Sequence, residues 1–210
     1  MSFKKNKYTI IRQAISKDLA AFIANYFNMQ KQVHDTCKQQ RYMSPFETII
    51  GHYEGENEQI PETYSQYSNI AMETLMLKCQ PIMEKVTELT LYPAYTYARI
   101  YKKGDELKRH KDRFSCEIST TMNLGGDDWP IYLEPSGEAN KKGVRVDLKQ
   151  GDMLVYRGCE LEHWRNKFKG NECVQTFLHY NSTKTPGAKE NMFDKRIHLG
   201  LPAWFKNKPI

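Results

Sequence analysis

The feature that most constrains this chain is a change in hydrophobic period near residue 90. Before it, apolar residues recur at helical spacing. Ser16 is placed to cap a helix over 17–36 with Leu19, Phe22, Ile23 and Tyr26 on one face. A second helix over 69–88 carries Ile70, Leu75, Leu77, Ile82 and Val86, and Pro81 is expected to kink or break it. From residue 95 the period is two. Tyr95, Tyr97, Arg99 and Tyr101 alternate with Thr96, Ala98 and Ile100 up to a turn at Gly104-Asp105. The cleanest alternation sets Phe114, Cys116, Ile118, Thr120, Met122 and Leu124 against Ser115, Glu117, Ser119, Thr121 and Asn123. Gly125-Gly126-Asp127-Asp128 reads as a turn before a strand at 129–133, and further strands are expected at 143–148, 152–157, 161–165 and 172–180. Many short strands so spaced exclude an α/β fold. They imply a mainly β sandwich or barrel with flanking N-terminal helices.

With 210 residues and no linker or internal repeat, one domain is expected: helical support and a lid over 1–93, a β core over 94–180 and an extension over 181–210 that wraps the surface. Residues 39–70 lack periodicity but carry Tyr42, Tyr53, Tyr64 and Tyr67, and a loop this long is usually functional or disordered. No apolar run is long enough to span a membrane. The lysine-rich start lacks an apolar stretch, and the five cysteines (37, 79, 116, 159 and 173) form no CxxC, so reduced thiols and a cytoplasmic setting are expected. The net charge is +6, of which residues 181–210 supply +4 as six Lys/Arg less two acids. The rest of the surface mixes both signs, so a nucleic-acid partner is not expected.

The residues that suggest chemistry are His110-Lys111-Asp112 and His163. On a strand, residues i and i+2 share a face, so His110 and Asp112 can present an imidazole and a carboxylate to one point. A second imidazole from a later strand completes a 2-His-1-carboxylate triad. Such a triad suits Fe(II) and leaves open positions for a bidentate cosubstrate and O2. The competing match, His52-Tyr53-Glu54, sits in the irregular loop and is set aside, because a loop without support does not hold ligand geometry.

Residues 95–180 resemble the double-stranded β-helix core of Fe(II)/2-oxoglutarate-dependent dioxygenases, closest to the prolyl 4-hydroxylase-like branch. The resemblance rests on Arg99-Ile100-Tyr101-Lys102-Lys103-Gly104 ahead of His110-x-Asp112, on Gly151-Asp152 before an apolar strand, and on His163 followed by a final strand from Val174 to Tyr180. It implies a hydroxylase using Fe(II), 2-oxoglutarate and O2, with ascorbate as an accessory reductant. The substrate would be a prolyl residue of a peptide or protein, or a small molecule. It also implies that Tyr101 hydrogen-bonds the cosubstrate.

One departure stands out. The basic residue usually found about ten positions after the distal histidine is replaced by Cys173. A buried carboxylate still needs a cation. Arg165, two residues after His163 and hence on the same face, is the expected partner, with Arg157, Arg113 and Lys169 as competitors. Thr120 is read as bonding backbone rather than cosubstrate. His179 could serve either the pocket or the core, and His34 and His198 are read as surface residues. Two other readings stay open: a cupin-like metal enzyme that does not use 2-oxoglutarate, and a non-catalytic β-sandwich that binds a polymer.

Overall fold

The computed structural model describes residues 3–206 apart from 45, 57, 139 and 140. Lys208, counted in the basic tail, lies outside them. The elements are α1 (Phe3–Asn6), β1 (Tyr8–Ile11), α2 (Lys17–Gln39), β2 (His52–Tyr53), β3 (Tyr64–Tyr67), α3 (Ile70–Thr87), β4 (Leu91–Lys102) and β5 (Leu107–His110). There follow β6 (Ile118–Gly126), β7 (Ile131–Glu134), β8 (Val144–Val146), β9 (Met153–Arg157), β10 (Glu162–Arg165) and β11 (Glu172–Ser182). All pairings are antiparallel and form a seven-stranded sheet, β1-β9-β6-β11-β4-β3-β2, and a four-stranded sheet, β5-β10-β7-β8. Among the described residues no helix is long and apolar enough to cross a membrane.

The alternation of β6 explains how the layers stack. Ile118, Met122 and Leu124 bury against Ile23 and Phe27 of α2 and Met72 and Met76 of α3. Thr120 shares this apolar face without cost because its hydroxyl accepts the Leu178 N–H at 3.0 Å. The opposite face, Ser119, Thr121 and Asn123, is also buried and looks into the space between the sheets. Polar residues there are the lining of a site rather than a solvated surface.

Several expectations need correction. Phe114–Cys116 is a 3-10 turn, so the strand starts at Ile118. The segment 39–70 contains β2 and β3, and β3 extends the large sheet by pairing with β4. This pairing carries Tyr64 and Tyr53 back onto α2, where they enclose His34, which is fully buried rather than on the surface. The buried face of α2 is Ala20, Ile23, Ala24 and Phe27, with Phe22 and Tyr26 turned outward. Small alanines let the helix approach the sheet closely. In α3 the buried face is Met72, Leu75, Met76, Cys79 and Met83, and Ile70 and Leu77 are exposed. Pro81 lies inside α3 without breaking it. The carbonyl it leaves without a donor belongs to exposed Leu77, where water can replace the missing bond. Ser16 caps α2 as expected, its hydroxyl accepting the Leu19 N–H at 3.2 Å.

The C-terminal extension does more than cover the surface. Asp194 and Arg196 are both buried; Arg196 pairs with Glu73 at 2.7 Å. Asp194 accepts from the Tyr67 hydroxyl at 2.7 Å, the Ser115 hydroxyl at 2.6 Å and both Arg113 Nη groups at 2.7 and 3.0 Å. Part of the basic excess of this segment is therefore spent on internal ion pairs.

Candidate metal centre and the anion pocket behind it

His110 ends β5 and pairs in register with His163 of β10, so the two imidazoles stand side by side with ring centroids 4.2 Å apart. Asp112 lies just beyond β5 rather than within it. Its backbone N–H donates to the Gly158 carbonyl at 2.9 Å, which turns its side chain toward the histidines. A side chain on Gly158 would collide with Asp112 Oδ2, the Cys116 carbonyl and the Ser119 hydroxyl. Only glycine leaves room for the carboxylate there.

The donor atoms are prepared for a cation. Each histidine Nδ1 faces a backbone carbonyl, Lys108 at 2.8 Å for His110 and Leu161 at 3.1 Å for His163. Those bonds place the proton on Nδ1 and leave Nε2 free as a ligand. Asp112 Oδ2 accepts the Ser119 hydroxyl at 2.9 Å, and Oδ1 lies 3.6 Å from His110 Nε2 and 3.4 Å from His163 Nε2. Three donors on one octahedral face, about 2.1 Å from an ion, stand about 3 Å apart, so a small contraction closes the set. Burial works to raise the Asp112 carboxyl, but the adjoining imidazoles, His163 foremost, outweigh it and hold it well below the usual carboxylate range. For His110, burial opposes protonation, yet the nearby Asp112 carboxylate and the Lys108 carbonyl raise its pKa. A second cluster, Asp112, Cys116 and His179, is a poorer candidate. Burial pushes the Cys116 thiol up, Tyr95 hydrogen-bonds it at 3.1 Å, and His179 Nδ1 is engaged by Ser119 at 3.0 Å.

A cavity of about 490 Å3 opens beside the triad, lined among others by Tyr95, Tyr97, Arg99, Tyr101, Phe177 and His179. The tyrosines of segment 39–70 do not line it; Glu58 and Gln59 do. The Gln59 amide nitrogen lies 3.1 Å from His110 Nε2 and must withdraw from that atom when an ion binds there. Burial lowers the pKa of His179, which also stacks on Tyr95 at 4.6 Å, to about 4, so it serves the pocket wall as a neutral group.

Behind the triad sits Arg165, 1% exposed. Its Nη1 donates to the Trp129 carbonyl, and its Nη2 reaches Thr121 Oγ1 at 3.1 Å and Gln175 Oε1 at 3.4 Å. No carboxylate among the described residues pairs with it, and its Nε has no partner. Burial lowers its pKa, with Cys173, Tyr101 and Tyr156 acting in the other direction. The Tyr101 hydroxyl is likewise buried without a hydrogen-bond partner. Both groups lie against the Trp129 ring, the guanidinium at 5.1 Å and the phenol at 4.8 Å. A buried cation and a buried hydroxyl left unsatisfied side by side describe a place for an anion. Of the competing cations, Arg113 is committed to Asp194 and Arg157 to Glu160 at 3.2 Å, while Lys169 lines a separate surface pocket.

The structure therefore brings together His110, Asp112 and His163, and sets Tyr101 and Arg165 next to each other. The sequence reading missed Ser119, Thr121, Gln175 and Gly158. The signal for the first two was the polar half of the β6 alternation, which was visible without revealing that it faces inward.

No protein-family model and no curated protein sequence matches the chain. Solved structures do. A prolyl-4-hydroxylase from Pseudomonas putida is similar at 15% identity over 86% of this chain and 95% of its own, with a TM-score of 0.58. SnoN, a non-heme alpha-ketoglutarate-dependent epimerase from nogalamycin biosynthesis, is similar at 11% identity over 86% and 79%, TM-score 0.63. HygX from Streptomyces hygroscopicus, solved with nickel and 2-oxoglutarate bound, is similar at 12% identity over 87% and 85%, TM-score 0.54. The two facing sheets of this chain, with their helical backing, thus form the double-stranded β-helix fold of Fe(II)/2-oxoglutarate-dependent enzymes.

Proposed function

We propose that the chain is a single-domain Fe(II)- and 2-oxoglutarate-dependent dioxygenase that hydroxylates an unactivated C–H bond. The observation that carries this reading is Arg165, a buried cation with no carboxylate partner among the described residues, beside the unpartnered Tyr101 hydroxyl and behind the cluster of His110, Asp112 and His163. His110, Asp112 and His163 would hold the iron. Iron bound there supplies O2 activation coupled to oxidative decarboxylation of a 2-oxo acid. The chain's own contribution is to fix the ligands, pair the cosubstrate's distal carboxylate with Arg165 and Tyr101, and keep water from a pocket walled by Tyr95, Tyr97 and Phe177.

Solved structures of this fold include a hydroxylase and an epimerase, so the fold leaves the reaction open. Hydroxylation of a prolyl residue in a peptide is the first substrate class to try. The test of the cosubstrate chemistry is anaerobic addition of Fe(II) and then 2-oxoglutarate. A weak visible charge-transfer band is expected, absent in His110→Ala and Asp112→Ala. Iron binding without a band would favour a cupin-like enzyme that does not use 2-oxoglutarate, and no metal binding would refute the triad.

A further inference from the structure

Arg99 is a second buried guanidinium and, unlike Arg165, lines the cavity beside the triad; its environment is only half satisfied. It lies on β4, two residues before Tyr101 and therefore on the same face. On the neighbouring strand its register partner is Gln175, whose side-chain oxygen is within 3.4 Å of Arg165 Nη2. The sheet thus brings Arg99, Tyr101 and Arg165 to one patch. The outer nitrogens of Arg99 are occupied: Nη2 pairs with Glu54 Oε1 at 2.6 Å and Nη1 donates to Gln59 Oε1 at 2.8 Å. Its Nε, like Arg165 Nε and the Tyr101 hydroxyl, is buried with no partner. Burial raises the Tyr101 pKa, while the nearby guanidiniums, Arg99 foremost and then Arg165, act to lower it.

Among the described residues Arg99 is ion-paired with Glu54, whereas Arg165 has no carboxylate partner. Glu54 is itself well anchored, accepting the Ile60 N–H at 3.1 Å and the Tyr97 hydroxyl at 3.1 Å, so it is not free to serve both cations. A carboxylate from a ligand would give Arg165 a counter-ion and could also accept from the Arg99 Nε and the Tyr101 hydroxyl.

We propose that Arg99 is a second cosubstrate-binding residue, its Nε–H joining Arg165 and the Tyr101 hydroxyl on the distal carboxylate of 2-oxoglutarate. This rests on the proposed function above and adds to it a second cation beside Arg165 where Cys173 supplies none.

The test uses the full chain loaded with Ni(II), which permits binding without turnover, and measures 2-oxoglutarate affinity by calorimetry. Arg99→Gln alone strands a buried glutamate and could fail to fold, so the working variants are Glu54→Gln and the double variant Arg99→Gln/Glu54→Gln. The double variant should bind 2-oxoglutarate about tenfold more weakly or worse, the loss of one charge-assisted hydrogen bond. Glu54→Gln alone should bind about threefold more tightly, since it removes the competing anion and leaves Arg99 in place. Ni(II) affinity should be unchanged in both. Wild-type affinity in the double variant would overturn the inference, as would Glu54→Gln weakening binding as much as the double variant, the behaviour of a structural strut. Failure of the wild-type protein to take up 2-oxoglutarate would instead sink the proposed function itself.

Discussion

Replacing Arg165 by methionine separates what this cation costs from what it binds. In the ligand-free protein its Nε is unsatisfied, and no carboxylate among the described residues pairs with it. Thr121 donates to Gln175 at 3.0 Å independently of the arginine, so Arg165→Met orphans only the Trp129 carbonyl, a loss of about 1–3 kcal/mol. Releasing an uncompensated buried charge gives back a comparable amount. Stability of the ligand-free protein should therefore stay within about 2 kcal/mol of the parent. At about 2–4 °C per kcal/mol for a chain of this size, Tm should move by no more than about 8 °C. With 2-oxoglutarate at a hundred times its Kd, the parent gains about 2.7 kcal/mol, or about 5–11 °C. Losing a charge-assisted bond of about 1.5–3 kcal/mol cuts that gain to about 0.3–1.3 kcal/mol at the same concentration. Differential scanning fluorimetry of the Ni(II)-loaded proteins, with and without 2-oxoglutarate, measures both quantities. An undiminished ligand-induced shift in Arg165→Met would place the anion elsewhere. A ligand-free loss above about 4 kcal/mol would make Arg165 a structural rivet.

Gly158→Ala should destabilise the fold by about 1–3 kcal/mol and weaken metal binding at least about tenfold, because the added methyl meets Asp112 and Ser119. Metal titration beside denaturant unfolding checks this, and unchanged metal affinity would show that Asp112 is positioned by other contacts. The buried His179, with its pKa lowered to about 4, must take up a proton more readily in the unfolded chain than in the fold. Its contribution to stability is complete above about pH 6.5 and is lost as pH falls toward 4. Denaturant midpoints of the metal-free protein should decline over that window, and His179→Gln should flatten the decline. An identical pH slope in the variant would assign the titration to another group.

The candidate triad was legible in the sequence as a juxtaposition because it depends on short-range geometry and order: two residues apart at and just past the end of one strand, and a histidine in a later strand. Antiparallel pairing of β5 with β10 then sets His110 beside His163 almost automatically. The burial of Arg165 beside His163 was legible for the same reason, since a period of two places both on one face. Periodicity marks two faces of a strand without saying which one points inward, and the partly misassigned faces of α2 and α3 show the same limit for helices. Packing decided that the polar half of β6 lines the site while its apolar half meets the helices. The remaining features depend on contacts between residues far apart in the chain. β3 joined the sheet and buried His34, Glu54 and Gln59 reached across to Arg99, and Asp194 crossed more than eighty residues to seize Arg113. No local pattern encodes such pairings. They follow from which buried charges and unsatisfied donors the closed sandwich leaves within reach of one another.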